Sequence, residues 1–111
     1  MKPITLRDYQ IMAERTSGAG KFGERRQIIA ALGLAGEAGE FANMIKKLTA
    51  HGHEITTEVL AEELGDVLWY VSEAATALGI SLEQIARMNI EKLKARYPDG
   101  FSEEQSRNRK T

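Results

Sequence analysis

Two short acidic segments contain the residues of this chain best suited to chemistry. Residues 36–40 read GEAGE and residues 62–66 read EELGD. Each segment holds a pair of carboxylates three positions apart: Glu37 with Glu40, and Glu63 with Asp66. On a helix, residues three apart are neighbours on the surface, so each pair offers its oxygens in one direction.

Glu37 and Glu63 fall on the apolar sides of helical wheels drawn at about 100° per residue, with Glu40 at the edge of its stripe and Asp66 flanking Glu63. The residues within about 60° of Glu37 are Ala30, Gly33, Leu34, Phe41, Met44 and Leu48, and those around Glu63 are Val59, Leu60, Val67, Tyr70, Ala74 and Leu78. Acids at this spacing usually mark a solvated face, because charged residues are mostly exposed. If both stripes instead face the interior, the acids converge, and burial of unpaired carboxylates requires a neutralising cation.

The ligand types favour a hard metal ion as that cation. Protein cations are scarce on the two stripes, with Lys47 the nearest on its helix. Carboxylate oxygens without cysteine suit Mg²⁺, with Mn²⁺ as a close substitute. A di-iron site in a helical bundle uses Glu-x-x-His pairs, and none exists here, because Leu48 and Ala50 precede His51 and His53 by three. We predict that both histidines are exposed loop residues.

The elements that must position these acids are predicted to be helices. Both prolines lie near the ends, at Pro3 and Pro98, and no window alternates as a strand does. Capping residues and glycines predict an all-α domain with four main helices, at about 5–16, 24–48, 57–78 and 81–96.

Composition limits the remaining possibilities. The chain has 111 residues, no cysteine and a formal net charge of −1, which predicts a single domain over 1–111 with a polar tail from about 99. We expect no nucleic-acid partner, because there is no general basic field, and no membrane partner, because no stretch approaches about 20 apolar residues. A cytoplasmic location fits the lack of disulfides and of a signal peptide.

Three segments resemble the MazG-like nucleoside triphosphate pyrophosphohydrolases, in the all-α superfamily that includes dimeric dUTPases and phosphoribosyl-ATP pyrophosphohydrolase. They read GLAGEAGEFANMIKK, EELGDVLWYV and NIEKLKARYPDGF, and the resemblance covers about 29–101. The family signature is E-E-x-x-E followed by E-x-x-D. Glu37 and Glu40 match the second and third acids of E-E-x-x-E, and Gly36 stands where the first acid is expected. Glu63 and Asp66 match the two acids of E-x-x-D.

The resemblance implies a four-helix MazG-like bundle that forms a dimer or a dimer of dimers. It also implies Mg²⁺-dependent hydrolysis of a nucleoside or deoxynucleoside triphosphate to the monophosphate and pyrophosphate. The four matched acids would be the metal-binding and catalytic residues. The further substrate-binding candidates are Lys47, Trp69, Asn89, Lys92 and Arg96.

Structural explanations exist for each of these further candidates. The polar residues of the fourth helix also suit surface ion pairs, and Lys47 suits the negative end of a helix dipole. Trp69 also suits a core or a subunit contact. At the level of function, the alternatives are a non-catalytic helical interaction module and a related enzyme with a narrow substrate such as dUTP or phosphoribosyl-ATP.

Overall fold

The computed structural model describes residues 2–18, 23–101 and 103–108. These ranges contain helices and no strand, which confirms the predicted all-α class. In chain order the helices are α1 (Leu6–Glu14), α2 (Glu24–Ala50), α3 (Thr57–Leu78), α4 (Leu82–Arg96) and α5 (Glu103–Arg107).

Capping residues fix four of the helix ends where the sequence predicts them. The Thr5 hydroxyl accepts the Asp8 backbone N–H in a reciprocal capping box at the start of α1. Thr56 caps α3 and Ser81 caps α4 in the same hydroxyl-to-backbone manner. Gly79 ends α3 with φ of 74°, a left-handed conformation that glycine adopts at little cost.

Three boundaries differ from the predicted ones. α1 ends at Glu14 rather than near residue 16, because the Thr16 hydroxyl and backbone N–H both bond back to the Ala13 carbonyl and close a tight turn. α2 continues past Leu48 to Ala50. The tail expected to be only polar chain contains the short helix α5.

The α2–α3 hairpin carries the most extensive interhelical contact. Gln27, early in α2, bonds to Ala77, late in α3, so the two helices run antiparallel. Near the middle, the Tyr70 ring lies directly over Gly33, and a Cβ at Gly33 would overlap that ring. Gly33 therefore permits a closer approach of α2 and α3 than any other residue type would allow.

The side chain of Gln10 joins α1 to the turn between α3 and α4. Its amide nitrogen donates to the Thr76 hydroxyl and the Ile80 carbonyl, each at 3.1 Å. Its amide oxygen accepts the Leu82 backbone N–H at 2.8 Å, one of the first N–H groups of α4 that lack a helical partner. α4 thus packs against α1 and α3, at the end of the hairpin.

Few apolar side chains of the described residues are buried within one chain, namely Ala30, Ala75, Ala77 and Leu82. The radius of gyration is 16.9 Å, whereas a compact domain of about 100 residues has about 13 Å. Among the described helices, α2 is also long and apolar enough to cross a membrane by length and composition. This finding departs from the sequence expectation, although many core helices of soluble proteins share the property.

Candidate metal and nucleotide site

Three of the predicted acids meet between α2 and α3. Glu37, Glu63 and Asp66 each offer a carboxylate oxygen within 4.8 Å of the others, and we call these three residues the acidic cluster. Glu37 and Glu63 are half-buried, whereas Asp66 is exposed. Glu40 is exposed and lies outside this group, one turn further along α2.

The sequence expectation of acids directed into the interior is therefore too strong. The cluster lies at a partly open surface of the hairpin, where a bound ion could keep water ligands. Glu40 lies about 60° from Glu37 around the α2 axis and about 4.5 Å along it, at the edge of the cluster.

The acids of the cluster disturb one another electrostatically. Partial burial raises the pKa of the Glu37 carboxyl above its ordinary value of 4.5. The neighbouring carboxylates of Asp66, Glu63 and Glu40 repel the charged form of Glu37 and raise its pKa further. Within the described part of the chain, no lysine or arginine forms an ion pair with the cluster. An all-oxygen cluster with this repulsion fits a hard divalent cation.

Tyr9 on α1 lies within the electrostatic influence of Asp66, and no motif in the sequence indicates this. Burial raises the pKa of this phenol above 10.0, and the negative charge of Asp66 adds to the rise. Tyr9 follows the Thr5 cap by four residues, so its position on α1 was foreseeable. Its proximity to Asp66 was not foreseeable, because the packing of α1 on α3 leaves no local pattern in the sequence.

Trp69 and Tyr70 follow the acidic cluster on α3. Their rings meet edge to face, with centroids 4.9 Å apart, and both side chains are half-buried. The Trp69 indole N–H donates to the Thr16 hydroxyl at 2.8 Å. Beside them lies a cavity of about 280 Å³, lined by Ser17, Gly18, Ile29, Trp69, Tyr70 and Glu73. We call it the aromatic cavity.

A buried ion pair between Arg26 and Glu73 closes one side of this region, and the sequence analysis missed it. A signal existed in the sequence. Arg26 precedes Glu37 by eleven residues and Glu73 follows Asp66 by seven, and both separations return to nearly the same side of a helix. Each residue therefore lies in line with the cluster on its own helix.

The predicted cationic and amide residues do not join the acidic cluster within one chain. Lys47 is exposed in the last turn of α2. On α4, Asn89 and Lys92 are exposed and Arg96 is half-buried. No ion pair in the described ranges links Lys47, Lys92 or Arg96 to a carboxylate. His51 and His53 are exposed near the end of α2, as predicted.

Comparison with known proteins agrees with the geometry of the site. The family model for the MazG nucleotide pyrophosphohydrolase domain matches residues 27–101, which include the whole acidic cluster and all of α4. The Gene 37 protein of Mycobacterium phage L5 is 36% identical over 109 residues, covering 91% of this chain and 96% of the phage protein. No solved structure matches the chain significantly. The chain therefore belongs to the MazG nucleotide pyrophosphohydrolase family.

Proposed function

We propose that this protein hydrolyses a nucleoside or deoxynucleoside triphosphate to the monophosphate and pyrophosphate, with Mg²⁺ as cofactor. The observation that carries the proposal is the acidic cluster, in which oxygens from two helices lie within 4.8 Å without a protein cation among the described residues. A triphosphate would add further negative charge there, so a divalent ion is needed for both partners.

The cluster residues Glu37, Glu63 and Asp66 would hold the ion, with Glu40 at the edge. When bound, Mg²⁺ neutralises charge on the phosphates and lowers the pKa of a water molecule. A carboxylate of the site would orient the attacking water and accept a proton from it. The water oxygen bonds to the α-phosphorus, the bond from that phosphorus to the bridging oxygen breaks, and pyrophosphate leaves.

Residues outside the cluster bind the two ends of the substrate. Lys92 and Arg96 bind the phosphates, and Asn89 binds a phosphate, the sugar or a metal-bound water. Lys47, seven residues after Glu40, shares its side of α2 and adds positive charge. The aromatic cavity accepts the base against Trp69, because ring faces and edges of this kind pack well on planar bases.

The active form is a cytoplasmic homodimer or homotetramer. Large apolar side chains stay exposed on α1, α2, α3 and α4 of one chain, and the radius of gyration of 16.9 Å is larger than that of a compact chain of this length. Contiguous apolar surface of this kind is typical of subunit interfaces. Because the cations of α4 form no ion pair with the cluster in one chain, assembly also offers a way to complete the site.

Product analysis tests this function directly. The protein is incubated with a panel of NTPs, dNTPs including dUTP, and phosphoribosyl-ATP, with Mg²⁺ or with EDTA, and pyrophosphate is separated from orthophosphate. We expect Mg²⁺-dependent pyrophosphate and a monophosphate. Turnover of only dUTP or only phosphoribosyl-ATP would instead indicate an enzyme with a narrow substrate. If the protein is folded and oligomeric but hydrolyses no nucleotide, the non-catalytic helical interaction module would be favoured.

A matched pair of variants connects the reaction to the cluster. Glu63→Gln removes one charge from the cluster, whereas Glu62→Gln makes the same change at the exposed neighbouring position. We expect Glu63→Gln to lower turnover by at least about 100-fold, a usual loss when stabilisation of transition-state charge is removed. Glu62→Gln should remain close to the wild type, and equal activity of the two variants would contradict the assignment.

A further inference from the structure

Glu73 is a buried acid of α3 that the proposed reaction does not use. Its carboxylate accepts two hydrogen bonds from Arg26 of α2, from Nη2 at 2.6 Å and from Nε at 3.2 Å. Only 2% of Arg26 and 5% of Glu73 is exposed. The guanidinium thus engages both carboxylate oxygens, the geometry that fixes distance and orientation together.

The pair also holds the chain segment that follows α1. The Ser17 hydroxyl donates to the Glu73 Oε2 at 2.8 Å. One residue earlier, the Thr16 hydroxyl accepts the Trp69 indole N–H at 2.8 Å. Two consecutive residues of this segment are therefore bound to α3 at positions one turn apart.

Stability alone does not explain such a pair. Removing two charges from water is costly, and apolar residues of similar size often stabilise a protein as well or better. An ion pair differs from apolar packing in being directional, because its hydrogen bonds hold each partner at a set distance and angle. A role in positioning therefore accounts for the pair better than a role in stability.

The segment held in this way forms a wall of the aromatic cavity. Ser17 and Gly18 line one side, and Trp69 and Tyr70 line another. Tyr70 follows Asp66 by four residues on α3, so the cavity lies one helical turn from the acidic cluster. A displacement of Ser17 would change the cavity without touching any cluster residue.

We propose that Arg26 and Glu73 are positioning residues for nucleotide binding: through Ser17 they hold the segment after α1 against Trp69 and keep the aromatic cavity shaped for the base end of the substrate. The inference rests on the proposed function, since it assumes that this cavity serves a nucleotide. It assigns the pair a role in KM and leaves the reaction at the cluster unchanged.

Ser17→Ala is the sharpest test, because it removes the hydroxyl and leaves the Arg26–Glu73 pair in place. We expect KM to rise by up to about tenfold with kcat unchanged, because substrate binding must then reorder the segment, and that cost is limited by the loss of one hydrogen bond to a charged group. Ser17→Thr restores a hydroxyl and should restore KM. Glu73→Gln should raise KM at least as much, while Glu83→Gln, which breaks an exposed ion pair with Arg87, should not.

A second readout does not depend on turnover. Trp69 is the only tryptophan, so acrylamide quenching of its fluorescence reports the exposure of the cavity wall. Ser17→Ala should increase quenching in the folded protein, and Ser17→Thr should not. A lower melting temperature in Ser17→Ala with unchanged KM and unchanged quenching would overturn the proposal. Increased quenching in a protein that hydrolyses no nucleotide would support the positioning of the segment and contradict the proposed function.

Discussion

Glu73 and the acidic cluster have different electrostatic surroundings, although all four acids lie on α2 and α3. Glu73 is almost completely buried and is paired with Arg26 at hydrogen-bond distance. The acidic cluster lies closer to solvent, and in the described residues no protein cation pairs with it. Full burial requires a permanent partner, whereas partial exposure allows a cation to enter and leave. This contrast separates a structural acid from the acids proposed to bind metal.

The raised pKa of Glu37 predicts how stability depends on pH in metal-free protein. Because the folded state holds this proton at pH values where the unfolded chain has lost it, the free energy of unfolding should fall as pH rises from about 4.5 through the raised pKa. Thermal unfolding in EDTA at a fixed protein concentration measures this. Glu37→Gln should remove that component, while Glu62→Gln should retain it. An unchanged pH dependence in Glu37→Gln would contradict the assignment.

Lys92 and Lys94 make a matched pair for the proposed phosphate contact on α4. They are two residues apart and point to different sides of the helix, although both are exposed. Lys92→Ala should raise KM about tenfold, because a hydrogen bond to a charged group contributes about 1.5–3 kcal/mol. Lys94→Ala should leave KM near the wild-type value. Steady-state kinetics on the preferred nucleotide measures KM for both variants. An equal rise in KM for Lys92→Ala and Lys94→Ala would indicate general electrostatic attraction instead of a specific phosphate contact.

At the scale of elements, Gly33 sets the distance between the two helices that carry the cluster. Gly33→Ala would force Tyr70 aside or separate α2 from α3, at a cost of about 1–3 kcal/mol for an overpacked contact. Gly39→Ala is the control, since nothing lies within 4 Å of a Cβ there. That control should stabilise α2 by about 0.5–1 kcal/mol.

Denaturant unfolding and Mg²⁺ titration of the two glycine variants measure the consequence. We expect Gly33→Ala to weaken Mg²⁺ binding as well as stability, because the cluster depends on the approach of α2 and α3. The opposite result is a Gly33→Ala protein that is as stable as Gly39→Ala and binds Mg²⁺ as the wild type does. That result would show that the Tyr70 ring moves aside without disturbing the acidic cluster, and it would contradict this prediction.

Local signals in the sequence explain how much of the architecture was predictable. Thr5, Ser81 and Gly79 act through bonds to residues within one or two turns, so their effect is readable from spacing. Helical periodicity likewise placed Glu37 and Glu63 on facing sides. Two interactions join distant parts of the chain: the electrostatic effect of Asp66 on Tyr9, and the Arg26–Glu73 ion pair. Helix periodicity indicates which side of a helix such a residue lies on, but not which residue of another helix it meets.

At the scale of the whole molecule, a single chain leaves too much apolar surface uncovered. On α2, Ile28 is 51% and Leu32 is 70% exposed, and these residues share a side four positions apart. On α3, Leu64 and Leu68 repeat this arrangement. Monomeric proteins rarely leave such apolar patches in water, so the exposed sides of the hairpin are suited to contact with another copy.

Leu32→Glu tests whether this surface forms the subunit contact. Full burial of a leucine contributes about 1.5–3 kcal/mol, so we expect the change to weaken association at least about tenfold. Ala50→Glu adds the same charge at the exposed end of α2 and serves as the control. Analytical ultracentrifugation over a concentration series should show smaller species for Leu32→Glu only. Because assembly stabilises the folded chain by mass action, the melting temperature of Leu32→Glu should be lower than that of the wild type and should depend less on protein concentration. An unchanged mass for Leu32→Glu would place the contact on another surface, such as the exposed side of α4 around Met88.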